Sequence, residues 1–459
     1  MDASPPVAGE DTRKLIGISA RQTVAPRVLS IRGFLTPHAL GTLWGGTFLP
    51  LSGLFCAILL VRVLDSNNAN AFFLMLSAAV VLNVFSDFGQ RNTIYTDVAG
   101  LRDEPLREYI RSTYVRRFAL GLAVFGMAVG LAYVLHVNTL LTTILFAIMA
   151  ANSYVADPGI KILCGKSLGY LEVPLSAIDR VLVLAGLLTM LLIGSASLDL
   201  VLGLYVVAGL LRFIGAATAV RRKILGQESS DSVSSRVKTS ASSKACHNQP
   251  MGFRRNHFWA GILLLVTLLN LRLPVLVLPL VNLEHHAAHM GILMALCQSV
   301  LFVPTVVSRV WFPQILQSTN GTRQLQALLT SQMLFKCLAL CLAAGLLATI
   351  VLCTFAPHIL KILHPSYAAR PELLRLAAIA IPLLCAGQIG RLLATSAGVA
   401  RNLFLPVATG TVVGLLSMFF LAQTRGLPGI IYGGLISEFV VFSLTMTVVF
   451  KQKTIADAL

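Results

Sequence analysis

The chain has 459 residues, of which 56% are hydrophobic and only 12% charged, and its mean hydropathy is +0.80. A water-facing surface carries about twice that share of charge, so a soluble globular domain is excluded. The net charge is +17, but the Lys and Arg residues sit mainly in alternate loops between apolar runs. That pattern reports membrane topology and excludes a nucleic-acid-binding face.

Taken in order, apolar runs of about 20 residues, the length that crosses a bilayer as a helix, predict about twelve spans. The first six cover Ala39–Leu60, Ala71–Phe88, Phe118–Leu135, Thr139–Ala156, Pro174–Ile193 and Leu198–Val220. The second six cover Phe258–Leu280, Ala287–Phe312, Met333–Phe355, Glu372–Ala397, Leu403–Ala422 and Gly429–Phe450. Residues 1–37 are polar and basic, unlike a cleavable signal, so insertion is expected through the first helix. Residues 224–257 form a Ser-rich stretch that cannot bury a core and reads as a flexible linker. The predicted organisation is therefore a cytoplasmic segment (1–37), a first lobe (38–223), a linker (224–257), a second lobe (258–450) and a cytoplasmic tail (451–459). An even number of helices per lobe makes any repeat parallel, about an axis along the membrane normal. Leu64-Asp65 and Leu74-Met75 recur at the same offset as Leu283-Glu284 and Leu293-Met294.

Charge sets the orientation. About 25 Lys and Arg residues fall on the side of both termini, against Arg62, Lys361, Arg370, Arg375 and Arg425 on the other. Positive loops stay in the cytoplasm, which predicts a multi-pass inner-membrane protein with both ends cytoplasmic. The outer loops are short, so the chemistry belongs inside the bundle.

Soluble-enzyme signatures are absent: no GxxxxGK[ST], HExxH or GxSxG occurs. The eight cysteines are scattered singles without a CxxC pair, which reads as helix packing. His285, His286 and His289 read as a solvated capping turn in preference to a metal site. The Asn320-Gly321-Thr322 sequon falls on the cytoplasmic side and is discounted. No cofactor or metal is expected.

The informative residues are ionisable groups within the spans: Arg180, Arg212, Arg272, Arg391 and Glu438. An Arg at mid-helix costs roughly 2.5–3.5 kcal/mol on insertion scales, so such residues turn to a partner or a wet cavity. Arg180 adjoins Asp179, while Arg272 is placed near the middle of helix seven, beyond snorkelling reach. In the run NLRLPVLVLP, Asn270, Pro274 and Pro279 flank Arg272, and Pro274 is expected to kink the helix beside a cavity. Pro50 is expected to break helix one in the same way. Asn270, Pro274 and Pro50 are thus the cavity and gating candidates, and Glu438 the candidate for ion coupling or for pairing with an Arg.

The segment Leu59 to Ile94 resembles the opening of the polysaccharide transporter (Wzx-type flippase) family, within the multidrug/oligosaccharidyl-lipid/polysaccharide (MOP) exporter superfamily. Val61-Arg62-Val63-Leu64 matches the phrase ending the family's first helix, and Asp87-Phe88-Gly89 the phrase ending its second. Val303 to Ile315 and Ile362 to Asn402 are similar to the family's helix eight and its helix nine–ten region. The resemblance implies an all-α fold of two pseudo-symmetric six-helix lobes, MOP/MATE-like, acting by alternating access. It implies a polyprenyl-pyrophosphate-linked oligosaccharide as cargo, for lipopolysaccharide or exopolysaccharide assembly. A monomer in contact with membrane lipids, and with the polymerase and chain-length proteins of the same pathway, follows. Guanidinium forks hold phosphate well, which makes Arg272 and Arg180, then Arg212 and Arg391, the headgroup candidates. The alternatives are a cation-coupled multidrug exporter of the same superfamily, disfavoured by a first helix without acidic residues, and a membrane-embedded polymerase, ligase or acyltransferase.

Overall fold

The computed structural model describes residues 37–87, 103–135, 139–166, 171–194, 196–225, 255–307, 332–396 and 400–458, with residues 94, 98, 101, 137 and 168 between them. Residues 226–254 of the predicted linker, Cys246 among them, and the sequon lie outside these described residues, and the linker's last three residues instead begin the next helix. The described residues are built from helices. In chain order these are α1 (Pro37–Val63), α2 (Ser66–Asp87), α3 (Asp103–Val134), α4 (Leu140–Gly165), α5 (Glu172–Ile193) and α6 (Leu198–Val220). There follow α7 (Arg255–Leu276), α8 (Ala287–Ser299), α9 (Gln332–Leu363), α10 in two pieces (Pro371–Ala378 and Ile381–Ser396), α11 (Ala400–Arg425) and α12 (Leu427–Ala458).

Ten helices among the described residues are long and apolar enough to cross a membrane, and shorter apolar stretches lie at Pro50–Val63 and Leu140–Asn152. Large apolar side chains such as Leu192, Leu347, Ile350, Phe420 and Phe439 face outward. Such an exterior would aggregate in water, whereas hydrocarbon solvates it. The chain is an all-helical, multi-pass membrane protein.

Local chemistry sets the helix ends. Thr139 caps α4 by accepting from the Thr142 N–H at 3.1 Å, and Ser197 caps α6 by accepting from Leu200 at 3.2 Å. Gly194 ends α5 with φ 73°, and Gly426 turns α11 into α12 with φ 62°, a conformation other residues adopt only at a cost. Three helices outrun their apolar cores. α3 starts at Asp103 rather than Phe118, because the charged stretch ahead of the span is itself helix-forming. α9 continues through Pro357 to Leu363, and α12 runs on through the predicted tail to Ala458.

The proline expectations need correction. α1 runs unbroken through Pro50. Pro274 lies in the last turn of α7, which ends at Leu276 and passes into a tight 3₁₀ turn over Leu278–Val281. The proline-rich run therefore terminates the helix instead of kinking its middle.

Helices α1–α6 pack among themselves, chiefly α4 on α3 and α6 and α1 on α5, and α7–α12 form the second group. The two lobes meet where α1 and α2 pack against α7 and α8. The closest pair is α11 and α12. Small residues let backbones approach where lipid gives no hydrophobic drive. Val441 and Ser437 of α12 seat on Gly410 and Gly414, while Leu421 and Met418 of α11 seat on Gly429 and Gly433. A Cβ at Gly429 would overlap the backbone carbonyl of Leu421, which cannot move aside. Gly429→Val is expected to cost about 3 kcal/mol or more, seen as loss of the monodisperse peak on size exclusion. Gly203→Ala, where nothing lies within 4 Å of the added carbon, should leave that peak unchanged.

Candidate functional site

Two polar clusters sit inside the lobes, and a polar vestibule lies on the face poor in Lys and Arg. In the first lobe, Asp179 and Arg180 come from α5 and Arg212 from α6. Arg212 Nη1 donates to Asp179 Oδ2 at 3.3 Å, and Arg180 Nε stands 4.0 Å from the same oxygen. One carboxylate thus serves two guanidinium groups, leaving a net charge of +1 among the described residues of the cluster. The Arg180 side chain is 33% exposed against 18% for Arg212, and the buried Nε of each makes no hydrogen bond. Cys56 of α1 and Tyr205 of α6 sit beside Arg180. Adjacent helix residues diverge by about 100°, so Asp179 turns towards Arg212 while Arg180 keeps spare donors.

In the second lobe, Asn270 of α7 donates to Glu438 Oε1 of α12 at 2.6 Å. The Ser437 hydroxyl lies 2.6 Å from Asn270 Oδ1 and 2.8 Å from the Gly410 carbonyl, donating its single proton to one at a time. Arg391 of α10 is buried, close enough to Glu438 for the charges to attract, and its Nη2 reaches Gln388 Oε1 at 3.4 Å. Beside them is a cavity of about 40 Å³ lined by Asn270, Pro274, Cys297, Gln298 and Glu438, room for one to three waters. Proline at 274 leaves the Asn270 carbonyl without its helical donor at this same point.

Arg272 joins neither cluster. It stands about 200° round the helix from Asn270, off the face bonded to Glu438. It also lies only four residues from the end of α7, about 6 Å along the axis. That places it past the middle of the described helix, with its Nε buried. Among the described residues no carboxylate lies within ion-pair distance of it, and its buried Nε makes no hydrogen bond. Pro50 lines neither described cavity.

The vestibule, about 650 Å³, is lined by polar groups from both lobes, among them Asn67, Asn70, Thr142, Asp199, Glu284 and His285. Among the described residues its lining includes no Lys or Arg. Next to it His289, expected in a solvated turn, is instead buried and stacked on Tyr367 at 4.4 Å with rings 15° apart. Burial there pushes the Tyr367 phenol up to about 12. No group of three metal-ligating side chains occurs among the described residues, and the seven described cysteines are free thiols.

No protein-family model and no curated protein sequence matches the chain. Solved structures do. The chain is similar to the MATE multidrug transporter DinF-BH (TM-score 0.66, 12% identity), over 90% of this chain and 94% of that one. It is also similar to an outward-facing multidrug resistance MATE family transporter of the MOP superfamily (TM-score 0.59, 11% identity, 92% and 95% covered). A third likeness is to a MOP superfamily transporter from Pyrococcus furiosus, described as having a binding pocket of reverse polarity that suggests a different function (TM-score 0.56, 12% identity, 90% and 95% covered). The fold is that of MOP-superfamily transporters.

Proposed function

We propose that the protein is a flippase that moves a polyprenyl-pyrophosphate-linked oligosaccharide across the bacterial inner membrane, both termini being cytoplasmic. The observation that carries this reading is the charge inside the bundle. Among the described residues, Arg180, Arg212, Arg272 and Arg391 stand against Asp179 and Glu438, Arg117 is buried as well, Lys161 is paired with Glu172, and the first helix holds no acidic residue. A net positive interior favours an anionic headgroup and disfavours a cationic drug. The lipid tail stays in hydrocarbon while the diphosphate and sugar follow the polar path between the lobes. Among the four candidate arginines, Arg180 has the strongest claim, with donors unspent on Asp179; Arg272 has a weaker one, at the helix end. A membrane potential negative on the cytoplasmic side would drive such an anion outward at roughly 2.3 kcal/mol per charge per 100 mV.

The solved structures with this fold named above are transporters, which supports transport over a polymerase, ligase or acyltransferase. They also favour a second reading, a cation-coupled multidrug exporter, for which Glu438 beside its water-sized cavity would be the coupling group. Proteoliposomes separate the two. The flippase reading expects protection of a fluorescent polyprenyl-diphosphate trisaccharide from an impermeant quencher, without efflux of rhodamine under a proton or sodium gradient. Gradient-driven rhodamine efflux with no translocation of the lipid-linked sugar would replace it with the exporter.

A further inference from the structure

Helix ends leave backbone N–H and C=O groups unsatisfied, and most are capped by residues next to them in sequence. Two helices at the seam between the lobes are capped from the opposite lobe. At the start of α8, His286 offers no side-chain cap. Asn70 of α2 takes that place: its Oδ1 accepts from the Ala288 N–H at 2.7 Å, and its Nδ2 donates to the His285 carbonyl at 2.9 Å. At the end of α9, the Arg62 guanidinium of α1 donates to the carbonyls of Leu363, at 3.2 Å, and of Ile362. Both bonds lie on the Lys/Arg-poor face. Beneath them Phe73 of α2 rests on Gly291 of α8, where any added Cβ would overlap the ring.

We infer that Asn70 and Arg62 form a two-point latch that holds the lobes closed on this face by capping helices in trans. The design is reversible. Asn70 is 9% exposed in the wall of the 650 Å³ vestibule, and Arg62 is exposed. Water therefore replaces each cap when the lobes part, and opening leaves no polar group stranded. The vestibule then becomes the mouth of the central path. With Asp199 and Glu284 in its wall and no Lys or Arg among the described lining, it repels an anionic headgroup outward once released. The latch itself is independent of the cargo and holds for either reading of the function.

The test uses the full chain, with its native cysteines replaced by alanine, in lipid nanodiscs. A cysteine introduced as Ala288→Cys, buried at the seam, reacts with a charged maleimide in proportion to the fraction of time the face is open. Loss of one cap shifts that fraction about five-fold. Arg62→Gln, a change at an exposed side chain, is expected to speed labelling about five-fold, and Asn70→Leu at least as much. Gly291→Leu should speed it further by propping α8 off α2. A cysteine at exposed Asn282 should label at one rate throughout. An unchanged Ala288→Cys rate in Arg62→Gln overturns the latch, even where Asn70→Leu fails to fold.

Discussion

Arg180→Ala is expected to slow translocation of a diphosphate-linked lipid in proteoliposomes by about ten-fold or more, at unchanged folded yield. A hydrogen bond to a charged group contributes about 1.5–3 kcal/mol, and 1.4 kcal/mol is a factor of ten. The first-lobe cluster explains why this residue carries the effect. Asp179 is committed to Arg212 at 3.3 Å, while Arg180 lies at 4.0 Å with a third of its side chain exposed. Arg212→Ala should therefore act mainly by freeing Asp179 to pair with Arg180, cancelling the +1 of the cluster, and should slow transport through that route. Arg180→Lys keeps the charge but loses the fork that fits a phosphate edge, and is expected to restore only part of the rate. Arg272→Ala, near the helix end, is expected to have the smaller effect. A wild-type rate in folded Arg180→Ala would remove the first-lobe cluster from cargo recognition.

The spans were legible because hydrocarbon imposes one requirement, a run of about 20 apolar residues with every backbone group bonded within it. The predicted Leu198–Val220 and Pro174–Ile193 match α6 and α5 almost to the residue, because Ser197 and Gly194 end them with side-chain and backbone signals. Helix seven was misread at its end. A proline two residues from a terminus and one at mid-helix look alike in sequence; only the 3₁₀ turn over Leu278–Val281 shows that α7 stops there. Arg272 consequently stands four residues before the helix end, and Asn270, two residues earlier, faces nearly the opposite way. The pairing of Arg180 with Asp179 was visible as adjacency, but Arg212 reaches that carboxylate across helices, which no spacing rule reveals. The glycines at 410, 414, 429 and 433 carried a readable signal, the four-residue spacing of small residues in apolar helices, and it bears on packing. Asn70 and Arg62 carried none, since a cap supplied by the other lobe is invisible in the sequence of either helix.

Glu438 divides structural from coupling roles, and Glu438→Leu is expected to cost the protein its folded state. Glu438, Asn270, Ser437 and Arg391 are each 6% exposed or less. Removing the carboxylate strands the Asn270 amide and takes away the negative charge that stabilises Arg391; breaking such a buried arrangement costs about 3–5 kcal/mol. Glu438→Gln keeps an oxygen where Asn270 Nδ2 needs one, at the 2.6 Å contact, and gives up only the charge. It is expected to recover most of the monodisperse yield on size exclusion and to transport with the wild-type response to a proton or sodium gradient. Were the carboxylate a coupling site instead, the neutral isostere would fold normally and yet lose that response, since the 40 Å³ cavity beside it would have nothing to exchange a proton or ion with. The two substitutions together separate the clasp from the coupling site, because a clasp tolerates Gln and fails with Leu, whereas a coupling group fails with both.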